Sequence, residues 1–180
     1  MNTVHINLDK LRDFKNGVVS RLTQGLAGLA KQRKVEVLLG EGRFTSSHTL
    51  EVRANDGSLK TVKFTNAIIA AGSTALKIPG YPYDDPRVIT STGALELKDI
   101  PKRILVVGGG IIGLEMACVY SALGTQISVV ELGDGIVPGA DRDIIKVLAD
   151  RIGKRYEAIM TKTKVSKVEA TEAGLKCWFE

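Results

Sequence analysis

The sequence is poor in the residues that build disulfide frameworks and metal centres. It contains only two cysteines, Cys118 and Cys177, which lie far apart in a chain of 180 residues. That spacing fits neither a disulfide framework, nor a metal cluster, nor a CxxC redox pair. We therefore expect two reduced structural thiols, no metal site and a cytoplasmic location, because free thiols are typical of reducing compartments.

The sequence also lacks long apolar runs and aromatic clusters. Its longest apolar stretches, "AIIAAG" (67–72) and "ILVVGGGIIGL" (104–114), are too short to span a membrane. The start, "MNTVHINLDKLRD", becomes charged too early for a secretion signal. The net charge is +5, but the basic residues are dispersed and aromatic residues make up only 5% of the chain. We therefore expect no membrane segment and no nucleic-acid partner.

Apolar residues recur at steps of three and four near the start, which predicts a long helix with one face packed in the core. This stripe comprises Leu11, Phe14, Val18, Leu22, Leu26 and Leu29. Asn7 or Asp9 can cap the start of the helix. Four β-rich stretches follow, at 34–44, 48–57, 59–64 and 67–73, and "NDG" (55–57) predicts a hairpin turn. The fourth, "AIIAAGS", is typical of a buried strand that ends in a glycine turn.

The composition changes at "IPGYPYDDPRVITSTG" (78–93), which contains three prolines and predicts a surface linker. We place the domain boundary there, with one domain at 1–84 and a second at 85–180. The second domain is predicted to run strand (103–107), helix (111–123), strand (126–131), helix (about 141–152) and then short strands. This order is the βαβ unit of a parallel α/β sheet.

The strongest motif is the glycine loop between that first strand and helix. Gly108, Gly110 and Gly113 satisfy GxGxxG, and Gly109 adds a fourth glycine. In such loops the first glycine permits a tight turn, the second lets the backbone approach a pyrophosphate, and the third lets helix and strand pack closely. The helix N-terminus adds free amides and partial positive charge. The surrounding strand, helix and second strand therefore predict a dinucleotide site.

Two acidic residues bear on the choice of cofactor. Glu131 ends the second strand, where a carboxylate can accept hydrogen bonds from an adenine ribose. It would repel a 2′-phosphate, and no arginine follows before Arg142, so NAD is favoured over NADP. Glu115 is expected in the first helical turn. Its spacing alone leaves two interpretations open, which are compensation of the helix dipole and contact with the nicotinamide end.

The motif and its flanks resemble a known family. "VVGGGIIGLEMACVYSALGTQISVVE" (106–131) and "VPGADRDI" (137–144) are similar to the NAD domain of the dihydrolipoamide dehydrogenases, which are pyridine nucleotide-disulfide oxidoreductases. "LTQGLAGLAKQRKVEVLLGEGRFT" (22–45) and "NAIIAAGSTALKIPG" (66–80) resemble the FAD domain of the same family. The resemblance implies a Rossmann-like NAD domain with a small β-meander, preceded by part of an FAD domain. It also implies electron transfer from dihydrolipoamide through a redox disulfide and FAD to NAD.

The resemblance assigns roles to individual residues. It implies NAD contacts along the loop from Gly108 to Glu115, where Ile111 faces the flavin–nicotinamide junction and Glu115 lies near the nicotinamide. It implies two contacts outside the loop, which are the ribose acid Glu131 and a backbone contact of Val165 near the adenine. The implied NAD set is Gly108, Gly109, Gly110, Ile111, Ile112, Gly113, Leu114, Glu115, Glu131 and Val165. The implied FAD set is Gly42 at the adenine end and Ala71, Gly72 and Ser73 beside the pyrophosphate.

The chain departs from the family in what it omits. It has no counterpart of the family's FAD glycine motif, redox CxxxxC pair or His–Glu base, and neither His5 nor His48 matches that base. We expect an internal part of a roughly threefold longer enzyme, with no catalytic residue of its own. The resemblance implies a homodimer and a lipoyl-bearing acyltransferase partner from 2-oxoacid dehydrogenase complexes. Alternatives are another FAD/NAD disulfide reductase, an NADH oxidase, or a non-catalytic nucleotide-binding fragment.

Overall fold

The structure is a computed structural model that describes residues 5–180. Residues 1–4 lie outside the described part. They belong to the predicted 1–84 domain and to the start that is expected to lack a secretion signal. Two compact units are present, one formed by Asp13–Ser73 and the other by Thr74–Glu180 together with the residues up to Arg12. The assignment of 1–84 and 85–180 to FAD and NAD domains stays a prediction.

The first unit contains most of helix α1 and a three-stranded sheet. α1 spans Leu8–Gln32, and Asn7 caps it by accepting a hydrogen bond from the Lys10 amide at 2.9 Å. The strands are β1 (Gly40–Ser46), β2 (Thr49–Ala54) and β3 (Leu59–Lys63), all antiparallel in the order β1-β2-β3. The predicted hairpin turn joins β2 to β3, with Gly57 in the left-handed region at φ 85°. The helix and the hairpin are therefore confirmed.

Three sequence expectations for this unit are wrong. The apolar stripe of α1 is not packed in a core beyond its first member. Leu11 packs against the main core cluster, but the helix buries no residue fully and Phe14, Leu22 and Leu26 are 67–69% exposed. Residues 35–39 and 67–71 form no strand, although both stretches are apolar. Ile68 is 95% exposed. A strand needs a neighbouring strand to hydrogen-bond with, and a helix buries a stripe only where another element covers it. Within the described residues, the two apolar segments have no such strand and the part of α1 after Arg12 has no such cover.

The second unit contains a parallel sheet in the order β4-β5-β6. β4 (Arg103–Val107) leads through α3 (Ile111–Ala122) to β5 (Gln126–Val130), and α4 (Arg142–Ile152) leads on to β6 (Ala158–Met160). The predicted βαβ unit is therefore confirmed to within a residue or two. A short helix, α2 (Ser91–Glu96), precedes it, and the hairpin of β7 (Val165–Thr171) and β8 (Gly174–Phe179) follows.

The central strand β5 supplies the core on both of its faces. Ile127 and Val129 are fully buried and lie in one cluster with Leu114 and Ala117 of α3 and Ile145 of α4. The next residue of the strand points to the opposite face, as strand geometry requires. There Val130 packs with Val165 and Val168 of the hairpin, and with Tyr81 of the proline-rich segment. Because β4, β5 and β6 pair in parallel, their carboxyl ends lie at one edge of the sheet.

Candidate functional site

The glycine loop joins β4 to α3 at that edge and is fixed to β5. Gly108 has φ 104°, a conformation that a residue with a side chain rarely adopts, and its amide donates to the Val130 carbonyl at 2.8 Å. A Cβ at Gly113 would lie 2.5 Å from the Gly108 oxygen and 3.1 Å from Val106 Cγ1. Glycine at 113 is therefore what allows α3 to pack against the loop and the strand.

Gly110 is the open member of the loop. It is the N-cap of α3, with φ −75° and ψ 176°, and a Cβ placed on it would meet nothing within 4 Å. The amides of Ile111, Ile112 and Gly113 follow in the first helical turn, where a helix has no internal acceptors. These donors and the positive end of the helix dipole suit a pyrophosphate. Gly110 keeps the space in front of them free of side chain.

Glu131 lies directly after β5 and spans the loop with its carboxylate. One oxygen, Oε2, accepts a hydrogen bond from the Gly109 amide at 2.7 Å, and Oε1 accepts one from the Gly133 amide at 2.7 Å. A carboxylate has about four lone-pair positions, so acceptor capacity is left for hydroxyl groups of a ligand. Glu131 thus both fixes the glycine loop and offers an acceptor at the end of the second strand.

The loop after β5 supports Gly109 from the other side. The Val137 amide donates to the Gly109 carbonyl at 2.8 Å. A Cβ on Gly109 would lie 2.9 Å from Ile136 Cγ2 and 3.1 Å from Glu131 Cβ. Gly109 is therefore a packing glycine, enclosed by the segment that follows Glu131. Sequence reasoning did not find Ile136 or Val137, because their contacts depend on the backbone path of an irregular loop.

The other predicted NAD residues lie around this loop. Ile111 and Ile112 are 63% and 60% exposed at the start of α3, whereas Leu114 is buried in the core. Glu115 is exposed and lies one residue beyond the first turn, so its expected first-turn position is wrong. This weakens the dipole interpretation of that residue, because the dipole effect is concentrated in the first turn.

Val165 begins β7, and its side chain is in the core. The segment that leads into it runs beside Glu131, because the Thr163 amide donates to the Glu131 carbonyl at 3.0 Å. This geometry is compatible with a backbone contact at Val165. The contact itself stays a prediction.

The predicted FAD residues belong to the other unit and are described separately. Gly42 lies in β1 opposite Val52, and its surroundings are ordinary, since a Cβ there would meet only the Leu50 side chain at 3.6 Å. Ala71, Gly72 and Ser73 lie in an irregular, exposed segment, with Gly72 at φ 70°. The turn at Gly72 therefore needs glycine. The structure shows no hydrogen bond that links these residues to Gly42.

Burial raises the pKa of three groups around the parallel sheet, which are Tyr120, Tyr156 and Cys177. Cys118 and Cys177 are both unpaired. Among residues 5–180 no cluster of three potential metal ligands occurs, and no helix is long and apolar enough to cross a membrane. The described site can bind and orient a ligand.

Comparison with known proteins agrees with this geometry. The sequence pattern of the family "Pyridine nucleotide-disulphide oxidoreductase" matches residues 2–178. The dihydrolipoyl dehydrogenase of Haemophilus influenzae is 51% identical over 170 residues, which are 94% of this chain and 35% of that protein. The chain therefore spans about a third of the length of the curated relatives it matches.

Solved structures share the fold. LpdA from Mycobacterium tuberculosis matches with a TM-score of 0.88 at 23% identity, covering 99% of this chain and 40% of that one. The HOCl-induced flavoprotein disulfide reductase RclA from Escherichia coli matches with a TM-score of 0.83 at 25% identity, covering 98% of this chain and 40% of that one. The chain belongs to the pyridine nucleotide-disulphide oxidoreductase family.

Proposed function

We propose that this chain provides the NAD site and part of the FAD-binding region of a dihydrolipoyl dehydrogenase. In that enzyme electrons pass from dihydrolipoamide through a redox disulfide and FAD to NAD. The observation that carries the NAD assignment is the arrangement of Gly110. Its side-chain position is empty, and it stands in front of the free amides of α3 at the carboxyl edge of a parallel sheet.

The residues present fit a dinucleotide. The first-turn amides of α3 and the Gly110 amide would hold the pyrophosphate, and Glu131 would accept hydrogen bonds from the adenine ribose. NAD supplies hydride acceptance when bound, which is chemistry that the protein only positions. The exposed Ile111 and Ile112 offer an apolar surface next to the loop. This surface would exclude water from the nicotinamide end, and Glu115 is the polar group near it.

NAD rather than NADP is favoured by charge. In the proposed binding mode the 2′-phosphate of NADP would approach the carboxylate of Glu131, and the two negative charges would repel each other. Arg142 cannot compensate, because its guanidinium already donates to the carbonyls of Ile136, Val137 and Ala140. The end of β5 therefore carries the Glu131 carboxylate, and the arginine on the loop that follows it is already engaged.

The remaining assignments rest on family membership and on single features. Gly42, Ala71, Gly72 and Ser73 are proposed FAD contacts, supported by the left-handed backbone of Gly72. We also propose a homodimer and a lipoyl-bearing acyltransferase of a 2-oxoacid dehydrogenase complex as partner. A cytoplasmic location is proposed because Cys118 is an exposed free thiol, which is typical of reducing compartments.

A second candidate is nucleotide binding without catalysis by these 180 residues. It is favoured by the free state of both cysteines, since a thiol–disulfide relay needs two sulfur atoms in bonding contact. RclA shows that the fold also serves other flavoprotein disulfide reductases, so a different substrate is a third candidate. The candidates differ in turnover, because only the dihydrolipoyl dehydrogenase proposal predicts that a longer polypeptide reduces NAD with dihydrolipoamide as the electron donor.

Titration of the chain with NADH, followed by nucleotide fluorescence, tests the NAD assignment. Saturable binding is expected, with weaker binding of NADPH. In E131Q a glutamine amide group would face one of the two backbone amides, so affinity for NADH should fall about 10- to 100-fold, the effect of losing a hydrogen bond to a charged group. The control is E172Q in the exposed β7–β8 turn, which should bind like the wild type. Equal affinities for E131Q and the wild type would contradict the assignment.

A further inference from the structure

Arg142 donates four side-chain hydrogen bonds to backbone carbonyls of the segment that precedes it. Its guanidinium donates to Ile136 O at 3.1 Å, to Val137 O at 2.6 Å and to Ala140 O at 2.8 Å, with a further bond from Nε to Ala140 O at 3.1 Å. All three acceptors lie in the irregular segment between β5 and α4. Arg142 therefore ties the first residue of α4 to the loop that encloses Gly109.

That loop needs a tie because one of its residues is in an unfavourable conformation. Val137 has φ 49°, in the left-handed region that β-branched residues rarely occupy. Such a conformation persists only where surrounding contacts enforce it. The hydrogen bond from Arg142 to the Val137 carbonyl is the shortest of the set, so the arginine holds the strained residue directly.

Val137 in turn sets the direction of a site amide. Its N–H donates to the Gly109 carbonyl at 2.8 Å. In a planar trans peptide the carbonyl of one residue and the amide of the next point in opposite directions. With the Gly109 carbonyl held toward Val137, the Gly110 amide must point away from it. Gly110 itself is unobstructed, since a Cβ on it would meet nothing within 4 Å.

We propose that Arg142 is a positioning residue of the NAD site, which acts through Val137 and Gly109 to aim the Gly110 amide at the dinucleotide pyrophosphate. This inference rests on the proposed function and assigns to Arg142 a role in binding without contact with the ligand. The relay runs from the guanidinium to the Val137 carbonyl, from the Val137 amide to the Gly109 carbonyl, and across one peptide plane to Gly110.

The test compares R142A and R142K with R151A, which removes an exposed arginine from the last turn of the same helix. Two readouts are taken on the 180-residue chain. The first is hydrogen exchange of the Val137 amide without ligand. The second is affinity for ADP-ribose, which has the pyrophosphate, and for adenosine, which lacks it. R142A should lose Val137 protection and bind ADP-ribose about tenfold more weakly, the loss expected for one charge-assisted hydrogen bond, with adenosine affinity within about twofold.

R142K should fall between R142A and the wild type, because lysine can reach fewer carbonyls with its single ammonium group. V137G in the R142A background should recover part of the ADP-ribose affinity, since glycine adopts a positive φ without strain. R151A should match the wild type in both readouts. Recovery of ADP-ribose affinity in V137G/R142A separates a positioning role of Arg142 from a loss of folding. Circular dichroism of each variant monitors folding directly.

Unchanged Val137 protection in R142A would overturn the inference, as would equal losses of ADP-ribose and adenosine affinity. If the wild-type chain binds neither NADH nor ADP-ribose, the proposed function fails. Loss of Val137 protection in R142A would in that case still establish that Arg142 holds the loop around Gly109. A role of Arg142 in NAD binding would be refuted.

Discussion

Gly113 and Gly110 belong to one motif, yet the structure predicts different consequences when each is replaced by alanine. G113A should lower the stability of the fold, whereas G110A should lower the affinity for NADH. In G113A the new methyl group would lie 2.5 Å from the Gly108 carbonyl oxygen and 3.1 Å from Val106 Cγ1. The nearest atom is backbone, so it cannot move aside as the end of a side chain can. α3 must therefore shift away from β4 and the loop.

The magnitude follows from two opposing terms. Overpacking of this kind costs about 1–3 kcal/mol, and a backbone contact belongs at the upper end. Replacing a helical glycine by alanine recovers about 1 kcal/mol of helix propensity. The net loss for G113A is therefore about 2 kcal/mol, which corresponds to a melting temperature lower by roughly 4–8 °C.

G110A is the matched comparison. Its methyl group meets nothing within 4 Å, and φ −75° suits alanine, so the fold is spared apart from about 0.5 kcal/mol for a poorer N-cap. Because Gly110 is the N-cap of α3, the same methyl group would occupy space that a pyrophosphate needs in order to reach the first amides of the helix. NADH affinity should fall at least about tenfold, as expected when a hydrogen bond to a charged group is lost.

The assay is thermal melting by circular dichroism together with NADH titration of both variants. G113A should show the larger fall in melting temperature, and G110A should lose affinity while melting within about 2 °C of the wild type. A G113A variant that melts like the wild type would refute the account of helix–strand packing. A G110A variant with full NADH affinity would refute the account of the open glycine.

Three further outcomes are expected. The exposed apolar stripe of α1 should make the chain self-associate, and L22K/L26K should lower the apparent mass in light scattering, whereas a monodisperse wild-type monomer would contradict this. The chain should show no NADH-dependent lipoamide reduction, because both of its cysteines are free, and turnover by this chain alone would contradict that. Hydrogen bonds from Arg87 lower the pKa of Asp85 from 3.8 to about 2. The stability that this pair contributes is therefore complete above pH 3.8 and lost as the pH falls through 2. NMR titration of R87A should show the Asp85 pKa raised toward 3.8, because the side-chain hydrogen bonds are lost while the backbone amide of residue 87 still donates.

Local signals account for what could be predicted from the sequence. β4, α3 and β5 have the expected bounds because a β-branched strand, a glycine turn and a helix with Gly124 after its end are all encoded within a few residues. The apolar segments 35–39 and 67–71 carry the same local signal, yet they form no strand. Strand formation depends on a hydrogen-bonding neighbour, which local sequence does not reveal.

In the candidate site, too, features encoded by local spacing could be predicted, and contacts between distant segments could not. Gly108, Gly110 and Gly113 could be identified from spacing, and so could the place of Glu131 at the end of β5. The double hydrogen bond of the Glu131 carboxylate to Gly109 and Gly133 could not. It depends on how an irregular loop folds back on the glycine turn. The left-handed Val137 has no mark in the sequence either, because only glycine and asparagine signal that conformation.

Amide chemical shifts of the ¹⁵N-labelled chain, recorded as NAD is added, show residue by residue whether the glycine loop of the second unit binds NAD. Saturable shifts are expected at Gly108–Gly113, at Glu131 and in the first turn of α3, with weaker shifts for NADP at the same concentration. Shifts confined to other segments, or none at the loop at saturating NAD, would refute NAD binding by this loop.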